Sequence, residues 1–277
     1  MPFSTQPNLA NVLDSCRCGR LADFIAWKNT GVWSFRSDSD IVACALTAVE
    51  YGHLAVLSWL LESSGYLIDF GSQLGSDRID SSLIYHAVQY NRLDIVKWLA
   101  IDFAPIASNL HEENSLYFPA IAVMHGHLEI LKWYMANLVT TLGLDLEEEC
   151  EQVLIHALTD GQREILEWLV LDFRRGIDLN AVLDGGYHPI GLAAESGQLD
   201  LVRWMILDYG QAVNSILVDN SVIDSARKAG HTTVADFLET VTNIQKHIGL
   251  GAVSETMKEF EAHKMKITRR TGGEGGF

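Results

Sequence analysis

One twelve-residue phrase returns five times along this chain: EYGHLAVLSWLL at 50–61, QYNRLDIVKWLA at 89–100, MHGHLEILKWYM at 124–135, TDGQREILEWLV at 159–170 and ESGQLDLVRWMI at 195–206. Recurrence at a fixed period is the mark of a repeat architecture, in which one supersecondary unit stacks on the next. Aligned on the third residue of the phrase and extended to both ends, the copies bring Gly19, Gly52, Asn91, Gly126, Gly161, Gly197 and Gly230 into register. Their separations are 33, 39, 35, 35, 36 and 33 residues. The one departure is asparagine, the residue that tolerates a positive φ best after glycine. The position therefore reads as a left-handed turn that closes one helix and opens another.

Four residues before each turn stands a small side chain: Ser15, Ala48, Ala87, Ala122, Ala157, Ala193 and Ala226. Small residues at one recurring helical position let a short inner helix approach its counterparts closely. After the turn, apolar residues recur at offsets four, five and eight, with polar ones mostly at three and six. In the fourth copy these are Ile130, Leu131 and Tyr134 against Glu129 and Lys132. At about 100° per residue they form one apolar arc on a second, longer helix. The connecting segments, such as GSQLGSDRIDSS and GIDLNAVLDGGY, are rich in Gly, Asp, Asn and Ser and read as turns or short hairpins.

Charge narrows the partners. The net charge is −16, placed unevenly: residues 1–241 hold 14 Lys/Arg and 32 Asp/Glu, whereas 242–277 hold 6 and 4. An acidic body repels phosphate backbones, so nucleic acid is not an expected partner. No run of about eighteen apolar residues occurs, and no membrane span is expected. The start, MPFSTQPNLANVLDSC, has neither the basic opening nor the apolar core of a secretory signal. Cys16, Cys18, Cys44 and Cys150 make neither a zinc spacing nor a dense disulfide framework, which fits a reducing compartment, cytoplasmic with nuclear residence equally allowed.

Chemistry finds no foothold in the motifs. There is no P-loop, GxSxG, HExxH or EF-hand loop. HGH at 125–127 invites a metal reading, but His127 occupies the slot after the turn that His53 and His231 also hold. That leaves His125 alone, and one histidine is not a site. No catalytic, metal or cofactor-binding residue is expected, and the chain reads as a non-enzyme without cofactors.

Trp59, Trp98, Trp133, Trp168 and Trp204 all fall at offset seven, with Ala26 and Phe237 there in the end copies. A ladder of rings suggests sugar or base stacking. Offset seven, however, lies at the edge of the apolar arc, where a large ring can cover the seam between copies. Seams between nearest neighbours are what stabilise a solenoid, so the column is expected to be structural.

The order helix, turn, helix, turn-rich loop at a period near 33 resembles the ankyrin repeat. HPIGLAAESGQLDLV (188–202) is similar to that family's TPLHLAA-x-x-GHLEIV phrase, with Pro189 and Leu192-Ala193-Ala194 in register. GIDLNA (176–181) is similar to its GADVNA, and GQAVNS (210–215) is a weaker copy. The resemblance covers about residues 8–241, although the TPLH start is largely missing elsewhere and the second copy carries about six extra residues. It implies an all-α, ankyrin-like solenoid of about seven helix-turn-helix repeats over residues 1–241. A capping or partner-binding helical segment at 242–267, whose stretch VSETMKEFEAHKMKI (253–267) reads as one helix with Ser254 as its amino-terminal cap, and a flexible tail at 268–277 complete the expected organisation.

The resemblance further implies a protein partner bound on the concave inner-helix surface and the loop tips, by a chain acting as a monomeric scaffold or adaptor. The residues just before each turn match concave-facing positions, giving Glu50, Tyr51, Gln89, Tyr90, Met124, His125, Thr159, Asp160 and Glu195 as candidate contacts. Tyr187 joins them from a loop tip. Other expected loop-tip residues are Asp77, Arg78, Asp80, Asp184 and the acidic run Glu147, Glu148, Glu149 and Glu151. Two alternatives stand beside the scaffold reading: an effector of a pathogen or symbiont that grips a host protein by the same surface, and a regulatory subunit acting through its carboxy-terminal segment.

Overall fold

The computed structural model describes residues 7–31, 38–63, 83–102, 117–142, 144–173, 179, 182–183, 186–209 and 220–248. They fall in two compact units, Met1–Leu146 and Glu147–Phe277. Among the described residues there are helices and turns and no strand. The first unit holds α1 (Leu9–Arg17), α2 (Leu21–Asn29), α3 (Asp38–Tyr51), α4 (Leu54–Ser63), α5 (Leu83–Gln89), α6 (Leu93–Lys97), α7 (Tyr117–Met124) and α8 (Leu128–Leu142). The second unit opens within α9 (Leu146–Thr159) and continues with α10 (Arg163–Glu167), α11 (Pro189–Glu195), α12 (Leu199–Leu207), α13 (Asn220–Lys228) and α14 (Thr232–Ile248). The loop residues Asp77, Arg78, Asp80 and Asp184, the helix expected over 253–267 and the tail at 268–277 lie outside the described residues. So do the segments 71–82 and 210–215 and most of 176–181. The boundary placed at 241/242 falls inside α14.

Each turn has the conformation that its residue type dictates. Asn91 has φ 57°, and the six glycines in register with it run from φ 66° at Gly19 to φ 90° at Gly230. The residue after each turn returns its N–H to the carbonyl of the small residue five positions back, as in His53 to Ala48 at 2.8 Å and Gln198 to Ala193 at 2.9 Å. This six-to-one bond satisfies a carbonyl that the end of the inner helix leaves open. The small residues are the most deeply buried positions of the turn: Ser15 is 1% exposed, and the six alanines are fully buried. Inner helices accordingly pack on one another, α1 on α3, α3 on α5 and α5 on α7 in the first unit, and α11 on α13 in the second.

The second helices bury the arc expected of them. Offsets four, five and eight are buried in every copy from the second to the seventh, as in Val56, Leu57 and Leu60 or Leu201, Val202 and Met205. In the first copy Phe24 and Trp27 keep the pattern, while Asp23 replaces the apolar residue at offset four. Its Oδ2 accepts a 2.7 Å hydrogen bond from Ser15 Oγ. Between α1 and α3 the buried thiols of Cys16 and Cys44 meet. The hydrogen bond to Cys44, together with burial, pushes the Cys16 thiol far above its ordinary value and keeps it protonated.

Two expectations need correction, and a third feature is new to the structure. Inner helices are not uniformly the shorter ones: α3 and α9 each run 14 residues, against 10 in α4 and 5 in α10. The acidic run is not a loop tip. Glu147, Glu148 and Glu149 form the first turn of α9, where the helix dipole favours carboxylates, and Glu149 is buried. Nor do the second helices stay regular, since α6 and α10 widen into π-helical turns at Trp98–Asp102 and Trp168–Asp172. In the fifth copy Phe173 closes the turn, its N–H bonding Trp168 O at 3.0 Å and its ring meeting the Trp168 ring edge-on at 5.2 Å. Tyr209 and Trp204 repeat this closure in the sixth.

The tryptophans sit on seams. Trp59 lies 5.4 Å from the Phe24 ring of the preceding copy, with Lys28 Nζ over its face at 5.6 Å. Arg163 covers Trp204 at 5.7 Å, and Arg203 covers Phe237 at 5.6 Å, each from the copy before. Trp204 is buried and the other four are half-buried, and at Trp59 and Trp204 the ring holds neighbouring copies together.

Candidate partner-binding face

The candidate residues occupy the last turn of each inner helix, between the buried small residue and the left-handed turn. In four of the copies the helix backbone there is anchored twice. The six-to-one bond fixes it from within, and a side chain of the next copy fixes it from outside. His53 Nε2–H donates to Arg17 O at 2.9 Å, and His127 Nε2–H donates to Gln89 O at 2.9 Å. Arg92 donates to Glu50 O through Nε at 3.2 Å and Nη2 at 2.7 Å, while Gln198 Nε2–H donates to Thr159 O at 2.7 Å. Every donor is the residue directly after a turn, and every acceptor lies two residues before the turn of the preceding copy.

Glycine serves twice in this arrangement. Besides allowing the positive φ, it leaves room for the incoming side chain: a Cβ on Gly19 would stand 2.5 Å from His53 Nδ1, and one on Gly197 2.5 Å from His231 Nδ1. The side chains at the two candidate positions lie outside the apolar core that buries the small residue beside them.

In the first unit they form an aromatic row. Tyr51, Tyr90 and Met124 are 41%, 37% and 55% exposed, with Gln89 and His125 also exposed and Glu50 half-buried. The rings are oriented by neighbours. Arg17 lies 5.5 Å from the centre of the Tyr51 ring, His86 tilts against Tyr90 at 5.7 Å, and His125 stacks nearly parallel on His127 at 5.7 Å.

In the second unit the same positions are polar. Asp160 and Glu195 are exposed and Thr159 is half-buried, its Oγ1–H donating to His156 O at 3.1 Å. Tyr187 stands apart from them, at the opposite end of α11 from Glu195, about 10 Å of helix away. It leaves a tight turn in which Leu183 N–H bonds Tyr187 O at 2.9 Å, and both Tyr187 and Val182 are exposed there.

The tethering residues His53, Arg92, His127 and Gln198 escaped the sequence reading as a functional set because their types differ. What they share is chemical: each carries a side-chain N–H donor long enough to cross to the next copy. Among the described residues no three His, Cys, Asp or Glu side chains gather where they could hold a metal ion, and no helix is long and apolar enough to cross a membrane.

Residues 120–216, from the inner helix of the fourth copy to the loop after the sixth, match the family model of ankyrin repeats in three copies. No curated protein matches the chain.

Proposed function

We propose that this chain, which carries ankyrin repeats over residues 120–216, is a non-catalytic scaffold or adaptor that binds a partner protein on the ends of its inner helices. Ankyrin repeats are in general protein–protein interaction modules. The observation that carries the reading is the contrast along each inner helix of the first unit. Ala48, Ala87 and Ala122 are fully buried, while Tyr51, Tyr90 and Met124, one turn or less away, are each more than a third exposed. Large side chains left this exposed keep apolar area that the fold itself does not bury. Tyr and Met are types enriched where proteins meet, Tyr because it adds contact area at low entropic cost and Met because its flexible thioether adapts to the opposing surface.

On this reading Glu50, Tyr51, Gln89, Tyr90, Met124 and His125 belong to the contact surface of the first unit, and Thr159, Asp160, Tyr187 and Glu195 to that of the second. The protein acts as a monomer in the cytoplasm or nucleus. Quantitative affinity capture from a native extract tests this, comparing the full chain with a Tyr51→Ala, Tyr90→Ala, Asp160→Lys variant of equal helicity. Proteins retained by the former and lost from the latter support the reading; identical captures place the contact elsewhere.

A further inference from the structure

The row in the first unit is nearly uncharged as well as aromatic. From Arg17 at one end to His125 at the other, Glu50 is its one carboxylate. In a protein of net charge −16, such a face selects by apolar contact and shape rather than by electrostatic attraction, and its charge complement is a neutral segment.

The row is also periodic. Packed helices lie with axes about 8–10 Å apart, and α1, α3, α5 and α7 pack each on the next, so Tyr51, Tyr90 and the Met124–His125 pair recur at that step. A bound segment must present a group at the same interval. A β-strand presents one to the same face every 6.6–6.8 Å or so, and an α-helix about every 5.4 Å, or roughly 10.8 Å for two turns. A polyproline II helix turns once every three residues and rises about 9.3 Å in doing so, inside the required range. Its backbone makes no internal hydrogen bonds, which leaves carbonyls for the phenol O–H groups, and proline-rich segments dock against aromatic side chains with little ordering cost.

We propose that the turn face of the first unit binds an uncharged proline-rich segment in the polyproline II conformation, with a proline at every third residue seated in turn on Tyr51, Tyr90 and Met124–His125. This rests on the function proposed above for the same face and names the chemistry of the partner.

The test is selection of a random peptide display library on the full chain, with counter-selection on a Tyr51→Ala, Tyr90→Ala variant. Fluorescence anisotropy of synthetic peptides about twelve residues long, one enriched and one with its prolines regrouped, follows. Both tyrosines are exposed, and far-ultraviolet circular dichroism verifies that the variant is folded. The expected result is enrichment of neutral sequences with proline at intervals of three. Binding should weaken about tenfold or more on regrouping the prolines and on removing the two rings, and should change little with salt because no ion pair forms. Enrichment of tyrosine-dependent sequences with a helical or alternating pattern overturns the proline-rich assignment and leaves the face as a binding surface. If no enriched sequence depends on the tyrosines, both this inference and the first unit's part in the proposed function fall.

Discussion

Gly197 and Gly230 occupy the same left-handed turn, with φ 77° and 90°, yet they face different surroundings. A Cβ on Gly230 meets nothing within 4 Å, whereas one on Gly197 meets the His231 ring of the next copy. Gly230→Ala should therefore lose only the backbone preference, about 1 kcal/mol. Gly197→Ala should lose about 1 kcal/mol more, because the histidine must swing off its seat; urea denaturation midpoints measure the difference, and equal losses would show that the seat contributes nothing. Asn91 was legible in the sequence as the one permissible exception, and Asn91→Gly should leave the midpoint within about 0.5 kcal/mol. The residues following the turns were less legible, since a histidine, an arginine and a glutamine share no hydrophobicity signal, only a donor. The first copy has no described copy before it, and its Arg20 turns instead to Asp14 at 2.5 Å and Asp23 at 2.9 Å. Hydrogen bonding to Arg20, reinforced by its charge, holds the Asp14 carboxyl below its usual range. The stabilisation from this contact is complete above the unfolded value, about 3.9, and is lost as pH falls through the lower folded value. A carbon-13 titration of Asp14 should give a midpoint below the ordinary one, and Arg20→Gln should return it.

At the scale of the helix, pattern and packing agree where burial is complete and part where it is not. The offsets four, five and eight were readable because an apolar arc has a period that solvent cannot alter. The start of α9 was misread because four carboxylates within five residues resemble a solvated loop by composition, while the helix dipole that favours them has no sequence period of its own. The π-helical turns at Trp98–Asp102 and Trp168–Asp172 were likewise hidden. An i-to-i−5 bond leaves no sequence period of its own, and at the second of these turns Phe173 folds back on Trp168, a contact visible only in three dimensions. The small residues carry the sharpest helix-scale consequence. Ala87 lies in α5 with α3 packed on one side and α7 on the other, and it is fully buried. Ala87→Leu should cost about 1–3 kcal/mol by forcing those helices apart. Gln89→Leu, two residues on and exposed, should stay within about 0.5 kcal/mol. Thermal denaturation of the two variants separates a packing role for this position from mere helix propensity, by which leucine falls only slightly below alanine and about equals glutamine, leaving both variants near the parent.

Over the whole molecule, the repeat makes stability a sum of copies and the seams between them, so coupling should extend one copy and no further. The first unit offers both cases. Phe24 and Trp59 touch across one seam at 5.4 Å, whereas His53 and His127 tie different seams, to Arg17 and Gln89, and share no partner. A double-mutant cycle on Phe24→Leu and Trp59→Leu should return a coupling of about 0.5–1.5 kcal/mol. The cycle on His53→Ala and His127→Ala should be additive within about 0.5 kcal/mol, each single change costing roughly 0.5–1.5 kcal/mol for its lost hydrogen bond. Hydrogen exchange adds a spatial reading: His53→Ala should speed exchange in α1 to α4 and leave α7 and α8 unchanged. This is also where the periodicity reaches its limit as evidence, because it fixes how many copies there are and which residues face a neighbour but carries no information on how strongly one seam senses another. Large coupling between His53 and His127 would mean that the four copies of the first unit unfold as one body. The row Tyr51, Tyr90 and Met124–His125 would then present itself to a partner as a single rigid surface rather than as separately held rungs.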